Sequence, residues 1–470
     1  MKKRIAAAII AVGIMNMLAA CGNDTTVSAS EAVLEEDNIL EEDFDNDSED
    51  GDSLSEEQSE TNPSDDIKGK IISEEAAIDQ DAVYLAPVKL DDDNYTFIDP
   101  AGNIFDDSIK EPYISSFNKA GTALVNHSAD YANQVWEYMC FDERGTFNHY
   151  LPHYYDTKPG NGYSWMPIGA NGYFGAKRTY GENQGLWSFK SADRETDALY
   201  RAVGSFGDFD YAPVMDPDTN LWGYVDIYGN YLVDPYYKNA SNFVGDGYAV
   251  VQDSEGTYYY LDTEGNRTGR FENYETSSRH LVNIIYSINN DCGILFHSDS
   301  DGSESDNGYY VINKYGDMLA GPYCALASSD DLGLFACNST DTDTNWFNSF
   351  INSNGDVLIQ TESLFRGSSG FNRFGVCCID DGNALDPFGT GVFAYDCVID
   401  TDGNYIVEPG RYDSIKAYGD NGLAAVWVKD DTSDDPTAGL WGYINTKGEE
   451  VIAPQFKDAD SFAAVYMSKE

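Results

Sequence analysis

The sequence predicts an all-β protein whose short antiparallel strands recur in tandem, closing into a propeller-like ring or stacking as an open twisted array. Three observations carry this. A turn signature, Asp or Asn with Gly three residues later, recurs in nine copies spaced 35 to 51 residues apart, one of them with Arg194 in the Gly slot. Aromatic and aliphatic strand formers flank the turns. Helical periodicity is almost absent between them.

Composition allows such a core and limits its partners. Of 470 residues, 42% are hydrophobic and 23% charged, so the chain can bury a sizeable interior. Asp plus Glu number 81 against 28 Lys plus Arg, a formal net charge of −53. A nucleic-acid binder needs a basic footprint to neutralise phosphates, and this surface repels them. Adhesion to anionic lipid through a basic face fails for the same reason.

The chain opens with Lys2, Lys3 and Arg4, an apolar run from Ile5 to Ala20, and then Cys21. That run of 16 residues is too short for a spanning helix, which needs roughly 20. A basic start, a short apolar stretch and small residues make a secretory signal over residues 1–20. Leu18-Ala19-Ala20-Cys21 resembles the lipobox of bacterial lipoproteins. The resemblance implies cleavage before Cys21 and lipid attachment to it, hence an extracytoplasmic protein held to the membrane by that lipid. No other segment is apolar and long enough to cross a bilayer.

From Gly22 to Ile67 stand 18 acidic residues and no Lys or Arg. Burial there cannot offset the entropy of ordering, and like charges extend the chain. Residues 21–82 therefore read as the lipidated cysteine and a disordered acidic tether, with the repeat array over 83–470.

Two copies of the repeat are explicit: Leu221-Trp222-Gly223-Tyr224-Val225-Asp226-Ile227-Tyr228-Gly229-Asn230-Tyr231-Leu232-Val233, and Leu440-Trp441-Gly442-Tyr443-Ile444-Asn445-Thr446-Lys447-Gly448-Glu449-Glu450-Val451-Ile452. Weaker copies centre on Asp99 with Gly102, Asp142 with Gly145, Asp262 with Gly265, Asn313 with Gly316, Asn352 with Gly355 and Asp400 with Gly403. The chemistry is that of a hairpin. The Asx side chain caps the turn, and Gly accepts a positive φ in a type I turn with a bulge. Pro235, Pro409 and Pro454 follow the returning aliphatic pair, where they should stop ladder pairing. A further strand recurs between hairpins, as in Gly247-Tyr248-Ala249-Val250-Val251 and Gly422-Leu423-Ala424-Ala425-Val426. Ala86-Pro87-Val88 and Ala463-Ala464-Val465 are both versions of it, and matching ends suit a closed ring.

The unit of Trp-Gly-Tyr, Asx, turn Gly, aliphatic pair and Pro resembles the bacterial WG repeat. The resemblance covers roughly residues 83–470 and implies no catalytic residues. Tyr258, Tyr309, Asn348 and Asp396 depart from it by standing in the Trp slot.

Motifs of other chemistries are weak. Gly51-Asp52-Ser53-Leu54 spells a lipase signature but sits in the tether with no strand before it. His149 and His153 are separated by Pro152, with no acidic residue to complete a zinc motif. Asp216-Pro217-Asp218-Thr219-Asn220, Asp299-Ser300-Asp301-Gly302 and Asp341-Thr342-Asp343-Thr344-Asn345 alternate oxygen ligands but lack the bidentate Glu of a calcium loop. Seven cysteines follow Cys21; Cys337, Cys377 and Cys378 occupy core strand slots, and Cys140 an aromatic slot. Cys324 and Cys337 share one repeat and would pair if their strands were neighbours. The 34 tyrosines include the clusters Tyr154-Tyr155, Tyr258-Tyr259-Tyr260 and Tyr309-Tyr310; exposed ones would suit stacking on sugars or protein partners, but aromatics in repeat slots read as core. No residue is assigned to catalysis, metal or cofactor, and Cys21 is the single assigned site. The expected function is a non-catalytic binding or scaffolding module of the cell envelope, with an envelope protein or polysaccharide as partner. An exported glycan hydrolase and a calcium-dependent envelope protein are the alternatives.

Overall fold

The structure, a computed structural model, describes residues 63–73, 76, 78–117, 121–127, 136–141, 147–150, 169–178, 183–191, 194–271, 283–297, 308–327, 330–338, 346–384, 394–435 and 437–466. Among these residues, nine antiparallel sheets follow one another, most of them four-stranded. They are numbered here as blades one to nine, blade one holding the strand Ala82–Lys89 and blade nine the strand Gly439–Ile444.

Blade five shows the plan. Its strands Asn239–Ala240, Tyr248–Gln252, Tyr258–Asp262 and Arg267–Phe271 lie side by side in chain order. Ala240 pairs with Val251, Ala249 with Leu261, and Tyr258 with Phe271. Because direction alternates, the loops after the first and third strands emerge on one rim, the near rim. The loop after the second strand emerges on the far rim.

The repeat turn forms as its chemistry demands. Asp226 Oδ1 accepts the amides of Tyr228 and Asn230 at 2.8 and 2.9 Å, and Gly229 donates to the Asp226 carbonyl at 3.1 Å with φ +84°. The same capping recurs at Asp99, Asp262, Asn313, Asn352, Asp400 and Asn445. Gly has a second reason to be there. The turn rests on the last strand of the preceding blade: a Cβ on Gly448 would stand 3.0 Å from the Ile406 carbonyl, and one on Gly265 lies over Leu232 and Val233.

The prolines behave differently from expectation. The last strands Tyr231–Tyr237 and Glu450–Phe456 run straight through Pro235 and Pro454. The ladder shifts register there, between Trp222 and Tyr224 and between Trp441 and Tyr443. These are blade-edge strands, where a missing donor is tolerated. The bulge pushes main chain onto the third strand, so a Cβ on Gly223 would meet the Val233 carbonyl at 2.5 Å. That close approach is why Gly follows Trp. At Pro409 the strand does end first, at Val407.

Closure joins the chain ends. Val88 and Lys89 pair with Ala459 and Asp458, the register of Val251 and Gln252 with Ala240 and Asn239 in blade five. Ala82 to Leu85 pair with Tyr466 to Ala463. Blade one is therefore split: the C-terminus supplies its inner strand and the N-terminus the next two. Eight hydrophobic clusters, each shared by two successive blades, hold the described sheets face to face, including one between blades nine and one around Trp441, Tyr443, Val88 and Phe462. Packing thus runs from blade three through blade nine to blades one and two, and with the paired ends this is the ring rather than the open array for the described residues.

Residues 63–73, assigned to the tether by composition, are structured. A helix spans Pro63–Lys70. Its Ile67 is buried in the cluster between blades seven and eight.

Candidate binding site on the near rim

The first strands of the blades are two residues long in most sheets, and loops beside the inner strands of blades five to nine converge on one cavity. Polar side chains in these loops accept main-chain amides from the neighbouring blade. Asn242 Oδ1 accepts Ser205 N at 2.9 Å, joining blades five and four. Asp246 Oδ2 accepts Asp291 N at 2.9 Å, and Asp330 Oδ2 accepts Phe371 N at 2.7 Å. Asp331 Oδ2 accepts Arg373 N, and Asp420 Oδ2 accepts Ala464 N across the closure. Each bond is charge-assisted or shields an otherwise orphaned donor, so the loops lock one another.

A cavity of about 470 Å³ opens among the loops of blades five to nine, lined by Asp246, Asn290, Asp330, Asp331, Asn372 and Tyr418 among others. Burial raises the Asp330 carboxyl to about 7, against the opposing pull of the Leu332, Leu334 and Phe371 amides. The N-terminal segment docks beside this cavity: Lys70 Nζ donates to the Leu332 carbonyl at 2.8 Å, and Ile72 N to the Arg373 carbonyl at 2.9 Å. The Asp and Asn side chains here orient loops, and they leave a polar, acidic mouth suited to cationic or hydroxyl-rich groups.

The motif tyrosines tie blades together. Buried Tyr224 donates to the Ser241 carbonyl at 2.7 Å, and Tyr443 to the Asp460 carbonyl at 2.8 Å, each reaching the next blade's first loop. Trp441 is buried, whereas Trp222 is only partly so. Not every tyrosine is core: Tyr228 and Tyr236 are exposed, and Arg267 stacks over Tyr236, Tyr237 and Tyr259 with separations of 4.7 to 5.1 Å.

Cys21, the lipase-like Gly51-Asp52-Ser53-Leu54, His153, Asp299-Gly302 and Asp341-Asn345 lie outside the described residues, and His149 sits on the strand Phe147–Tyr150. Asp216 is described and is occupied by its own loop, its Oδ1 accepting the amides of Asp218 and Thr219 and the Thr219 hydroxyl. Cys292, Cys337, Cys377, Cys378 and Cys397 are buried and unpaired. Cys324 is exposed and free, so the suggested bridge to Cys337 does not form. The near-rim carboxylates were not singled out by the sequence, because they carry no shared spacing relative to the turn motif. A far-rim group, Asp380, Asp381 and Asp396, also escaped notice except for Asp396 in the Trp slot.

Comparison with known proteins agrees with this architecture. The WG containing repeat family matches residues 222–258, 398–428 and 441–464. No curated protein matches the sequence. Among solved structures, one titled as the crystal structure of the eukaryotic initiation factor is similar at TM-score 0.50 and 8% identity, covering 82% of this chain and 98% of that one. The dihydro-heme d1 dehydrogenase NirN in complex with DHE has TM-score 0.36 and 12% identity, covering 82% of this chain and 76% of its own. BamB from Moraxella catarrhalis has TM-score 0.31 and 12% identity, covering 67% and 93%. At such identity the first likeness concerns the fold alone, which is that of β-propeller proteins. The chain is therefore a propeller-like module carrying WG-containing β repeats.

Proposed function

We propose that the chain is a non-catalytic binding module of the cell envelope, anchored through lipid on Cys21 and presented on the extracytoplasmic side. Residues 1–20 serve as the signal, and the acidic stretch after Cys21 spaces the ring from the membrane. The observation that carries the binding role is the near-rim cavity. Five blades build it, and its carboxylates are engaged by main-chain amides, as in a fixed recognition surface. Its acidic lining suits a cationic segment of an envelope protein or a hydroxyl-rich polysaccharide. The tether reaches the ring beside this mouth, which directs it toward partners at the membrane side.

Capture experiments with the purified ring against cell-wall polysaccharide and surface proteins test the reading. Asp331→Asn together with Tyr418→Ala should weaken capture while the ring stays folded. Capture undiminished by both changes would place recognition elsewhere.

A further inference from the structure

Blade eight departs from its neighbours on the far rim. Asp396 occupies the slot filled by Trp441 in blade nine and immediately precedes the third strand, Cys397–Asp400. Asp380 ends the second strand, Val376–Asp380, and Asp381 follows it. One oxygen from each of the three carboxyls lies within 4.8 Å of the others.

The surroundings neutralise this group only in part. Arg366 Nε and Nη2 bond Asp380 at 3.1 and 3.3 Å, and Gly382 N donates to Asp380 Oδ1 at 2.8 Å. Asp381 Oδ1 accepts the amide and side-chain nitrogen of Asn383 at 3.1 and 2.7 Å. Asp396 Oδ1 accepts Asp381 N at 3.1 Å. Asp396 Oδ2 has no partner, in a residue that is 2% exposed. One guanidinium faces three carboxyl groups, the Asp396 carboxyl lies against that of Asp381, and a buried carboxyl oxygen without a donor is costly.

We propose that Asp380, Asp381 and Asp396 form a calcium site on the far rim of blade eight. The ligands are all hard oxygens, as calcium prefers. Calcium–oxygen bonds of about 2.3–2.6 Å let two ligands stand about 4.6–5.2 Å apart across the ion, which accommodates the observed spread. Magnesium, at about 2.0–2.1 Å, needs a tighter set. Asp381 is half-buried, so water reaches the remaining positions.

The test is calorimetric titration of the purified full chain with calcium chloride alone and with magnesium chloride alone, alongside thermal unfolding. We expect one saturable calcium event per chain, accompanied by a rise in Tm. It should be weakened at least tenfold in Asp396→Asn and in Asp381→Asn. Asp234→Asn, an exposed acid remote from the trio in sequence and on the edge strand of blade four, samples diffuse binding by the acidic surface and should leave the event unchanged. Should Asp396→Asn fail to fold, the half-buried Asp381→Asn decides alone. Parent-like titration of the folded variants, no saturable event, or magnesium binding as tightly as calcium would overturn the assignment, the first two in favour of a proton shared between Asp381 and Asp396.

Discussion

Val88 and Ala459 stand opposite each other in one antiparallel ladder, although they come from opposite ends of the repeat array. Both are buried, in the cluster that joins blade nine to blade one. The pairing makes the stability of the N-terminal strand depend on the last residues of the chain. It also covers the inner edge of Ala82–Lys89, which would otherwise be open to edge-to-edge association.

Truncation after Lys457 should therefore be severe. It removes Phe462 and Ala459 from the closing cluster and bares one edge of Ala82–Lys89. We expect a lower Tm and concentration-dependent oligomers by light scattering. A truncated chain that stays monomeric with the parental Tm would mean the join contributes nothing.

The two motif tryptophans should differ. Trp441 is 1% exposed, so Trp441→Ala should cost about 3–5 kcal/mol in denaturant unfolding. Trp222 is partly exposed, and its replacement should cost about 1–2 kcal/mol, in line with the smaller apolar area removed from water. Equal losses would contradict the burial difference between the two blades.

Gly448→Val should destabilise by about 1–2 kcal/mol or more, because φ is +73° there and the added Cβ presses on the Ile406 carbonyl. The loss belongs to folding. Capture by the near rim, measured well below the new Tm, should match the parent, and a selective loss of capture would give the turn a binding role.

The repeat and its turns were legible because their signals are local, whereas ring and open array both fitted the sequence. Asp226 and Gly229 specify a turn within four residues, and the end strands around Val88 and Val465 carry matching patterns. What lay hidden depends on contacts between blades. Gly223 follows Trp222 because Pro235 bulges the neighbouring strand, a relation that spans two strands. The near-rim carboxylates Asp330 and Asp420 each serve an amide some forty residues away, and no spacing rule links them. The helix Pro63–Lys70 was masked by its acidic surroundings, since Ile67 and Lys70 find their partners only on the folded ring.

Acidity should act on blade eight in a defined direction. The folded Asp396 carboxyl is raised above its ordinary 3.8, chiefly by burial and then by Asp381. Between those two values the folded chain binds more protons than the unfolded one, so this group's contribution is fully present below 3.8 and is lost as pH rises through the folded value. In calcium-free buffer, parent minus Asp396→Asn stability should fall over that range. A difference that is flat or rises with pH would contradict the burial of an uncompensated carboxyl.

Ring closure is the central claim, and a disulfide across the join tests it most directly. Ala82 and Tyr466 are opposite partners at the accessible end of the closing ladder. Facing residues in an antiparallel pair lie about 4.5–5.5 Å apart between Cα atoms, within the range a disulfide bridges. In a background with the exposed Cys324 replaced by Ser, Ala82→Cys with Tyr466→Cys should oxidise to an intramolecular bridge. The product should be a monomer migrating faster on a non-reducing gel, with a higher Tm than its reduced form. A pair that stays reduced, or that links only between chains, would show an open array whose ends never meet.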